Sequence, residues 1–143
     1  MMKWLLDILR KFYLRESGKE RISPNDWIKR DQIHYDLKTQ TLTVTDLPPI
    51  VKIFSVADTN SMDGLLDIGH SVIATDEFSC QQLAPGDIII YQVYTTKVVH
   101  RIVEITEDNN GRIYRCRGDN CIDIDPYYLR DLNIKYLVIG IIY

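Results

Sequence analysis

Apolar and polar residues alternate in short runs over most of the chain after residue 50. Turn-forming segments separate these runs, among them PGD at 85–87 and DNNG at 108–111. Runs with a period of two, bounded by turn residues, are typical of β-strands. The sequence therefore predicts a mostly-β protein built as a coiled antiparallel sheet or a barrel-like sheet. The runs in question are VKIFSVA, SVIAT, DIIIYQVY, KVVHRIVEI, RIYRCR and YLVIGIIY.

The first 49 residues follow a different pattern. Trp4, Leu5, Ile8 and Phe12 recur at helical spacing between charged residues, which predicts an amphipathic helix over about residues 3–15. Ser23 followed by Pro24 resembles a helix start and predicts a short helix through Arg30. The segment IHYDLKTQTLTVTDL then predicts a β-hairpin that turns at 38–40. We expect a helical leader and hairpin over 1–49 and a β domain over 50–143.

Charge is distributed unevenly along the 143 residues. The net charge is −3, with +3 over residues 1–38 and −6 over the remainder. An acidic chain gives no reason to expect a nucleic-acid partner. For the apolar face of residues 3–15 we favour packing on this protein or on a second copy in a homodimer. The alternative is peripheral contact of this basic segment with a membrane or an acidic partner.

The three cysteines, Cys80, Cys116 and Cys121, are odd in number and form no C-x-x-C motif. They predict free thiols in a reducing compartment, rather than a disulfide framework or a zinc ribbon, and favour the cytoplasm. No apolar run approaches the roughly 18 residues of a membrane span, and the start lacks a signal-peptide core. We expect no cofactor and no metal.

Candidate chemistry is spread over three regions of the predicted β domain. Ser61 follows the exit of one strand, His100 lies inside a later apolar strand, and Asp119 and Asp125 occupy the loop after the next strand. A nucleophilic serine needs a base within hydrogen-bond reach, and the base needs a third group that fixes its tautomer. The chain supplies each residue type in an order that lets these elements converge.

Four motifs give the arrangement more specificity. They are Ser61-Met62, Gly86-Asp87 before DIIIY, Val99-His100-Arg101, and Gly118-Asp119-Asn120 followed by Asp125. In this order and spacing, the chain from about residue 50 to its end resembles the catalytic domain of type I signal peptidases. The resemblance is strongest to the archaeal and endoplasmic-reticulum branch, which has a Ser–His pair, but here we expect no transmembrane anchor.

The resemblance implies a serine endopeptidase that hydrolyses peptide bonds in protein substrates. Ser61 would be the nucleophile, His100 its general base, and either Asp119 or Asp125 would orient His100. Thr59 and the Ser61 backbone N–H would form the oxyanion site. Met62 could anchor the exposed serine turn against the core.

The sequence departs from the family pattern after the Ser-Met pair. The family usually has an acid–proline pair there and then glycine–aspartate, whereas this chain has Asp63-Gly64 and Gly69-His70. The Asp63-Gly64 pair implies a looser turn after Ser61. The expected lack of a transmembrane anchor leaves membrane signal-peptide cleavage less favoured.

Other interpretations of the sequence remain. The first is a regulatory or binding module of LexA-like fold, either self-cleaving or catalytically inactive. No Ala-Gly or Cys-Gly dipeptide is present for LexA-like self-cleavage. Strand alternation places Lys97 on the face opposite His100, so Lys97 cannot replace His100 as the base. The i, i+4, i+7 spacing of Asp63, Asp67 and His70 would suit a metal site on a helix, but Gly64 and Gly69 disfavour a helix there.

Overall fold

In a computed structural model, which describes residues 22–143, the chain forms the mostly-β antiparallel architecture that the alternation predicts. The helix expected over residues 3–15 lies outside the described residues, so its form and its contacts stay predictions. Short 3-10 turns occur at Arg30–Gln32, Cys80–Gln82 and Asp131–Asn133. The eight strands are β1 (Ile33–Asp36), β2 (Thr41–Val44), β3 (Val51–Ser55), β4 (Ser71–Thr75), β5 (Ile88–Val93), β6 (Thr96–Asp108), β7 (Gly111–Arg117) and β8 (Ile134–Ile142).

Strands β3 to β8 form one six-stranded sheet in the order β3-β4-β8-β5-β6-β7, and every neighbouring pair is antiparallel. The register shifts at Ile73/Ala74, Ile90/Tyr91 and Ile102/Glu104. Such bulges bend a strand and increase the local twist, so they account for a coiled rather than a flat sheet.

Both faces of the sheet are buried at its centre. In β5, Ile89 and Tyr91 enter a first apolar cluster, whereas Ile88 and Ile90 enter a second one. Successive side chains of a strand point to opposite faces, so a continuous apolar run such as IIIY fits a strand covered on both sides. The first cluster contains Leu83, Ile89, Tyr91, Ile102, Tyr114, Cys116, Leu129, Ile134 and Leu137. The second contains Met62, Leu66, Val72, Ala74, Ile88, Ile90 and Val138.

The hairpin predicted before residue 50 is confirmed as β1 paired with β2. The short helix predicted from Ser23 to Arg30 is wrong, because residues 22–29 contain no helical turn. Asp87 explains the difference. Its buried carboxylate accepts hydrogen bonds from the backbone N–H and side-chain amide of Asn25 and from the Trp27 indole, each at 2.9 Å. These long-range bonds stabilise an extended path over the sheet in place of a local helix.

Gly86 lies where this extended segment crosses the start of β5. Its φ is +108°, and a Cβ at this position would run into the backbone carbonyl of Ser23. Only glycine adopts such a conformation readily and leaves room for the close crossing. Residues 22–27 therefore contact the sheet directly, and the division at residue 49 stays a prediction.

The cysteines are free thiols: Cys116 is buried, and Cys80 and Cys121 are half-buried. Burial raises the pKa of Cys116 to about 12, so its thiol stays protonated at neutral pH. Within residues 22–143, no helix is long and apolar enough to cross a membrane.

Candidate active site

Ser61 lies on a tight turn after β3, and the backbone around it is held in place. The preceding residue, Asn60, has a left-handed φ of 54°, a conformation that asparagine tolerates better than most residues. The Asn60 carbonyl accepts a hydrogen bond from the Asn120 side chain at 2.9 Å, and the Ser61 carbonyl accepts the Asn120 N–H at 3.0 Å. The loop after β7 thus fixes the conformation of the serine turn.

Met62 anchors this turn to the sheet. Its side chain is 2% exposed within the second apolar cluster, and its sulfur accepts the Asp119 N–H at 3.3 Å. Ser61 itself is only half-buried. An apolar side chain directly after the serine therefore holds the turn against the core while Ser61 remains partly exposed.

The hydroxyl of Ser61 is the first member of a chain of three side chains. Its Oγ lies 3.0 Å from His100 Nε2, and His100 Nδ1 lies 2.8 Å from Asp125 Oδ2. The side chains of His100 and Asp125 are 10% and 12% exposed. Both distances are within hydrogen-bond range, so a proton on Ser61 has a path to His100, and the carboxylate can orient the imidazole.

Asp125 is itself held by three neighbours. Its N–H donates to the Cys116 carbonyl at 2.8 Å, and its own carbonyl accepts from Arg115 at 3.1 Å. The Tyr91 hydroxyl donates to its Oδ2 at 2.7 Å. Burial and the adjacent Asp125 carboxylate raise the pKa of Tyr91, so its hydroxyl stays protonated and remains a donor.

Tyr91 was not predicted as a residue of the site, although its position in the strand is informative. In the sheet, Ile89 pairs with His100 across β5 and β6. Because side chains two residues apart share a face, Tyr91 lies on the same face as His100. A tyrosine that directly follows three isoleucines in a buried strand is a candidate for such a hydrogen bond.

Thr59 and the Ser61 backbone, the expected oxyanion donors, lie beside the hydroxyl. Thr59 Oγ1 is 3.2 Å from Ser61 Oγ. The Ser61 N–H has no hydrogen-bond acceptor within residues 22–143. Both groups are therefore close enough to the serine to be candidate hydrogen-bond donors to a substrate oxygen that becomes negatively charged.

Asp119, the other acid singled out from the sequence, contacts a different partner. Its two carboxylate oxygens accept from Arg101 at 2.8 and 2.7 Å, and Arg101 also donates to the Gly86 carbonyl at 2.8 Å. Arg101 follows His100 in β6 and so points to the opposite face. The fold brings Asp125 to His100 and Asp119 to Arg101.

Gly118 allows the loop to approach the serine and histidine closely. A Cβ at Gly118 would run into the Ser61 carbonyl oxygen and would lie 3.0 Å from His100 Nε2 and 2.8 Å from Cys121 Sγ. No side chain fits there without moving the serine turn or the imidazole. The first residue of the Gly-Asp-Asn motif thus has a steric role that residue patterns alone did not reveal.

We expect Asp119→Asn to lower the free energy of unfolding by about 3–5 kcal/mol, because it leaves the buried Arg101 without its charged partner. Arg101 and Asp119 are 8% and 4% exposed. Urea unfolding of the purified variant measures this change. Asp108→Asn is the matched control, since Asp108 pairs with Arg130 at an exposed position, and its effect should be much smaller. Equal losses in the two variants would contradict a structural role for the Arg101–Asp119 pair.

The other residues considered from the sequence lie in ordinary structural settings. His70 Nδ1 accepts the Asp67 N–H at 3.0 Å, and the His70 ring packs against Tyr143. Within the described part of the chain, no group of three or more His, Cys, Asp or Glu residues could hold a metal ion. Lys97 Nζ lies 5.4 Å from the centre of the Tyr136 ring, in a cation–π contact.

Comparison with known proteins gives one match of low identity. The chain is similar to signal peptidase I W of Bacillus subtilis strain 168, at 29% identity over 76 residues. The aligned region makes up 52% of this chain and 40% of the relative, so the chain matches less than half the length of that protein. No family model matches the chain, and no solved structure matches it. The similarity supports a signal-peptidase-like relationship.

Proposed function

We propose that the protein is a serine endopeptidase in which Ser61 attacks the peptide bond, His100 is the general base and Asp125 orients His100. The observation that carries the proposal is the continuous chain of contacts from Ser61 Oγ through both nitrogens of His100 to Asp125. The similarity to a signal peptidase supports the same reaction class. Asp125 takes the orienting role over Asp119 because Asp125 contacts the imidazole, whereas the Asp119 carboxylate pairs with Arg101.

The first half of the reaction forms an acyl-enzyme. With a hydrogen on Nδ1 donated to Asp125, Nε2 of the neutral imidazole carries the lone pair that faces Ser61. As Ser61 Oγ bonds to the substrate carbonyl carbon, its proton moves to His100 Nε2. The resulting imidazolium gives that proton to the leaving nitrogen when the C–N bond breaks. The acyl group is then esterified to Ser61, and the amine product leaves.

The second half releases the acid product. Water takes the place of the amine, gives a proton to His100 Nε2 and attacks the ester carbon. The imidazolium then returns a proton to Ser61 Oγ as the ester bond breaks, which restores the starting state. Asp125 stabilises the imidazolium in both halves without itself becoming protonated.

Negative charge forms on the carbonyl oxygen in both tetrahedral intermediates. The Ser61 N–H, which lacks an acceptor within residues 22–143, and the Thr59 hydroxyl are the donors that we assign to this oxygen. Donors held in place before the reaction need no rearrangement as the charge develops, which is why such sites contribute strongly to rate.

A defined mixture of synthetic peptides tests the function without a known substrate. The peptides in the mixture together carry all residue types at each position. We expect the purified protein to cleave some of them, and mass spectrometry identifies the new amino and carboxyl termini. The Ser61→Ala variant, purified in parallel, controls for contaminating peptidases and should generate none of these products. Equal products from both preparations, or none from the wild type, would contradict the proposed function.

A further inference from the structure

Tyr91 and His100 share one hydrogen-bond acceptor, the Oδ2 oxygen of Asp125. The Tyr91 hydroxyl donates to Oδ2 at 2.7 Å, and His100 Nδ1 lies 2.8 Å from the same atom. The pairing of Ile89 with His100 places Tyr91 on the same face of the sheet, two residues further along β5. The tyrosine and the histidine therefore compete for the negative charge of one oxygen.

The Tyr91 hydroxyl is a permanent donor in a buried position. The residue is 1% exposed and belongs to the first apolar cluster. Burial and the Asp125 carboxylate raise the pKa of Tyr91, so the hydroxyl stays protonated near neutral pH. Hydrogen bonds from a hydroxyl to a carboxylate are short and stronger than bonds between neutral groups. The carboxylate that orients His100 thus keeps a second donor at all times.

The other titratable or charged groups near this oxygen come from β7 and the loop that follows it. They are Arg115, Cys116, Cys121 and Tyr127. Arg115 donates to the backbone carbonyl of Asp125 at 3.1 Å. The Cys116 thiol is neutral near neutral pH, because its pKa is about 12. Cys121 contacts the Ser61 carbonyl, and Tyr127 packs against the Tyr91 ring. Of all these groups, Tyr91 is the one that donates to the carboxylate beside His100.

We propose that Tyr91 is a positioning residue that acts through Asp125 and extends the activity of the site to lower pH. The inference rests on the proposed peptidase function. A donor that shares the carboxylate oxygen takes up part of its negative charge, so the carboxylate stabilises the imidazolium of His100 less strongly. His100 then gives up its proton at a lower pH than it would beside Asp125 alone. The free lone pair on Nε2, which must accept the Ser61 proton, is present over a wider pH range.

The pH dependence of kcat/KM for one cleaved peptide tests this role. Tyr91→Phe keeps the ring and removes the hydroxyl, so the full charge of Asp125 acts on His100. We expect the midpoint of the rise in kcat/KM with pH to move up by about 0.5–1 pH unit relative to the wild type. The midpoint does not depend on the fraction of folded enzyme, so a merely structural role of the hydroxyl would leave it unchanged.

Tyr91→3-fluorotyrosine should shift the midpoint in the opposite direction. Fluorine makes the hydroxyl more acidic, and hence a stronger donor to Asp125, with little change in the size of the ring. The midpoint should therefore move below that of the wild type. Because this variant retains the bond to Asp125, it also provides the test if Tyr91→Phe does not fold.

Tyr114→Phe is the matched control, because it removes an equivalent bond from the same apolar cluster. Tyr114 is 0% exposed, and its hydroxyl donates to Asp131 Oδ1 at 2.8 Å. We expect the midpoint of this variant to equal that of the wild type. An unchanged or lower midpoint in Tyr91→Phe, an unchanged or higher one with 3-fluorotyrosine, or an equal rise in Tyr114→Phe overturns the inference alone. Failure of the wild type to cleave any peptide overturns the proposed function and this inference together.

Discussion

Asp125→Asn is expected to lower kcat/KM by roughly 10³–10⁴-fold, as the same change does in established serine–histidine–aspartate sites. The Asp125 carboxylate accepts from His100 Nδ1 at 2.8 Å and so selects the tautomer with a free lone pair on Nε2. An asparagine amide can instead donate to Nδ1. In that arrangement the ring hydrogen is on Nε2, so Nε2 has no free lone pair and cannot accept the proton of Ser61.

The measurement is kcat/KM for one cleaved peptide in the wild type and in Asp125→Asn, with urea unfolding as a check that the variant is folded. Asp123→Asn is the matched control. It removes the same charge from the same loop, but Asp123 is exposed. We expect its rate to stay within about twofold of the wild type. A wild-type rate in Asp125→Asn would exclude Asp125 from the catalytic centre.

Local patterns predicted the sheet well because each strand has the alternation or the apolar run that its burial requires. The segment DIIIYQVY became β5, covered on both faces, and KVVHRIVEI became the start of the long strand β6. The prediction of a helix after Ser23 was wrong because that segment depends on distant residues. Its conformation depends on hydrogen bonds to Asp87, about sixty residues away along the chain, and no local pattern contains that partner.

The candidate site was predictable in its residue types but not in all of its contacts. The order of the motifs predicted Ser61 and His100 as a pair. In the structure, Ser61 Oγ lies 3.0 Å from His100 Nε2. The choice between Asp119 and Asp125 depended on the path of the loop after β7, which residue spacing does not determine. Strand parity placed Arg101 on the face opposite His100, but it did not reveal Asp119 as the partner of Arg101.

The steric role of Gly118 shows a further limit of the sequence. A glycine in a loop after a strand usually indicates a turn. Here, its missing Cβ leaves the space in which the Ser61 carbonyl and His100 Nε2 meet the loop. Close approach between segments that are distant in sequence becomes visible only when the tertiary structure is known.

The central claim is that Ser61 and His100 act as one catalytic unit, and the rates of two single variants and one double variant test it most directly. The variants are Ser61→Ala, His100→Ala and their combination, assayed on one cleaved peptide. Removal of either residue ends the same proton transfer, so each single change should lower kcat by about 10⁶-fold. The double variant should be no slower than either single variant. Losses that multiply in the double variant, or activity that survives either single change, would contradict the account.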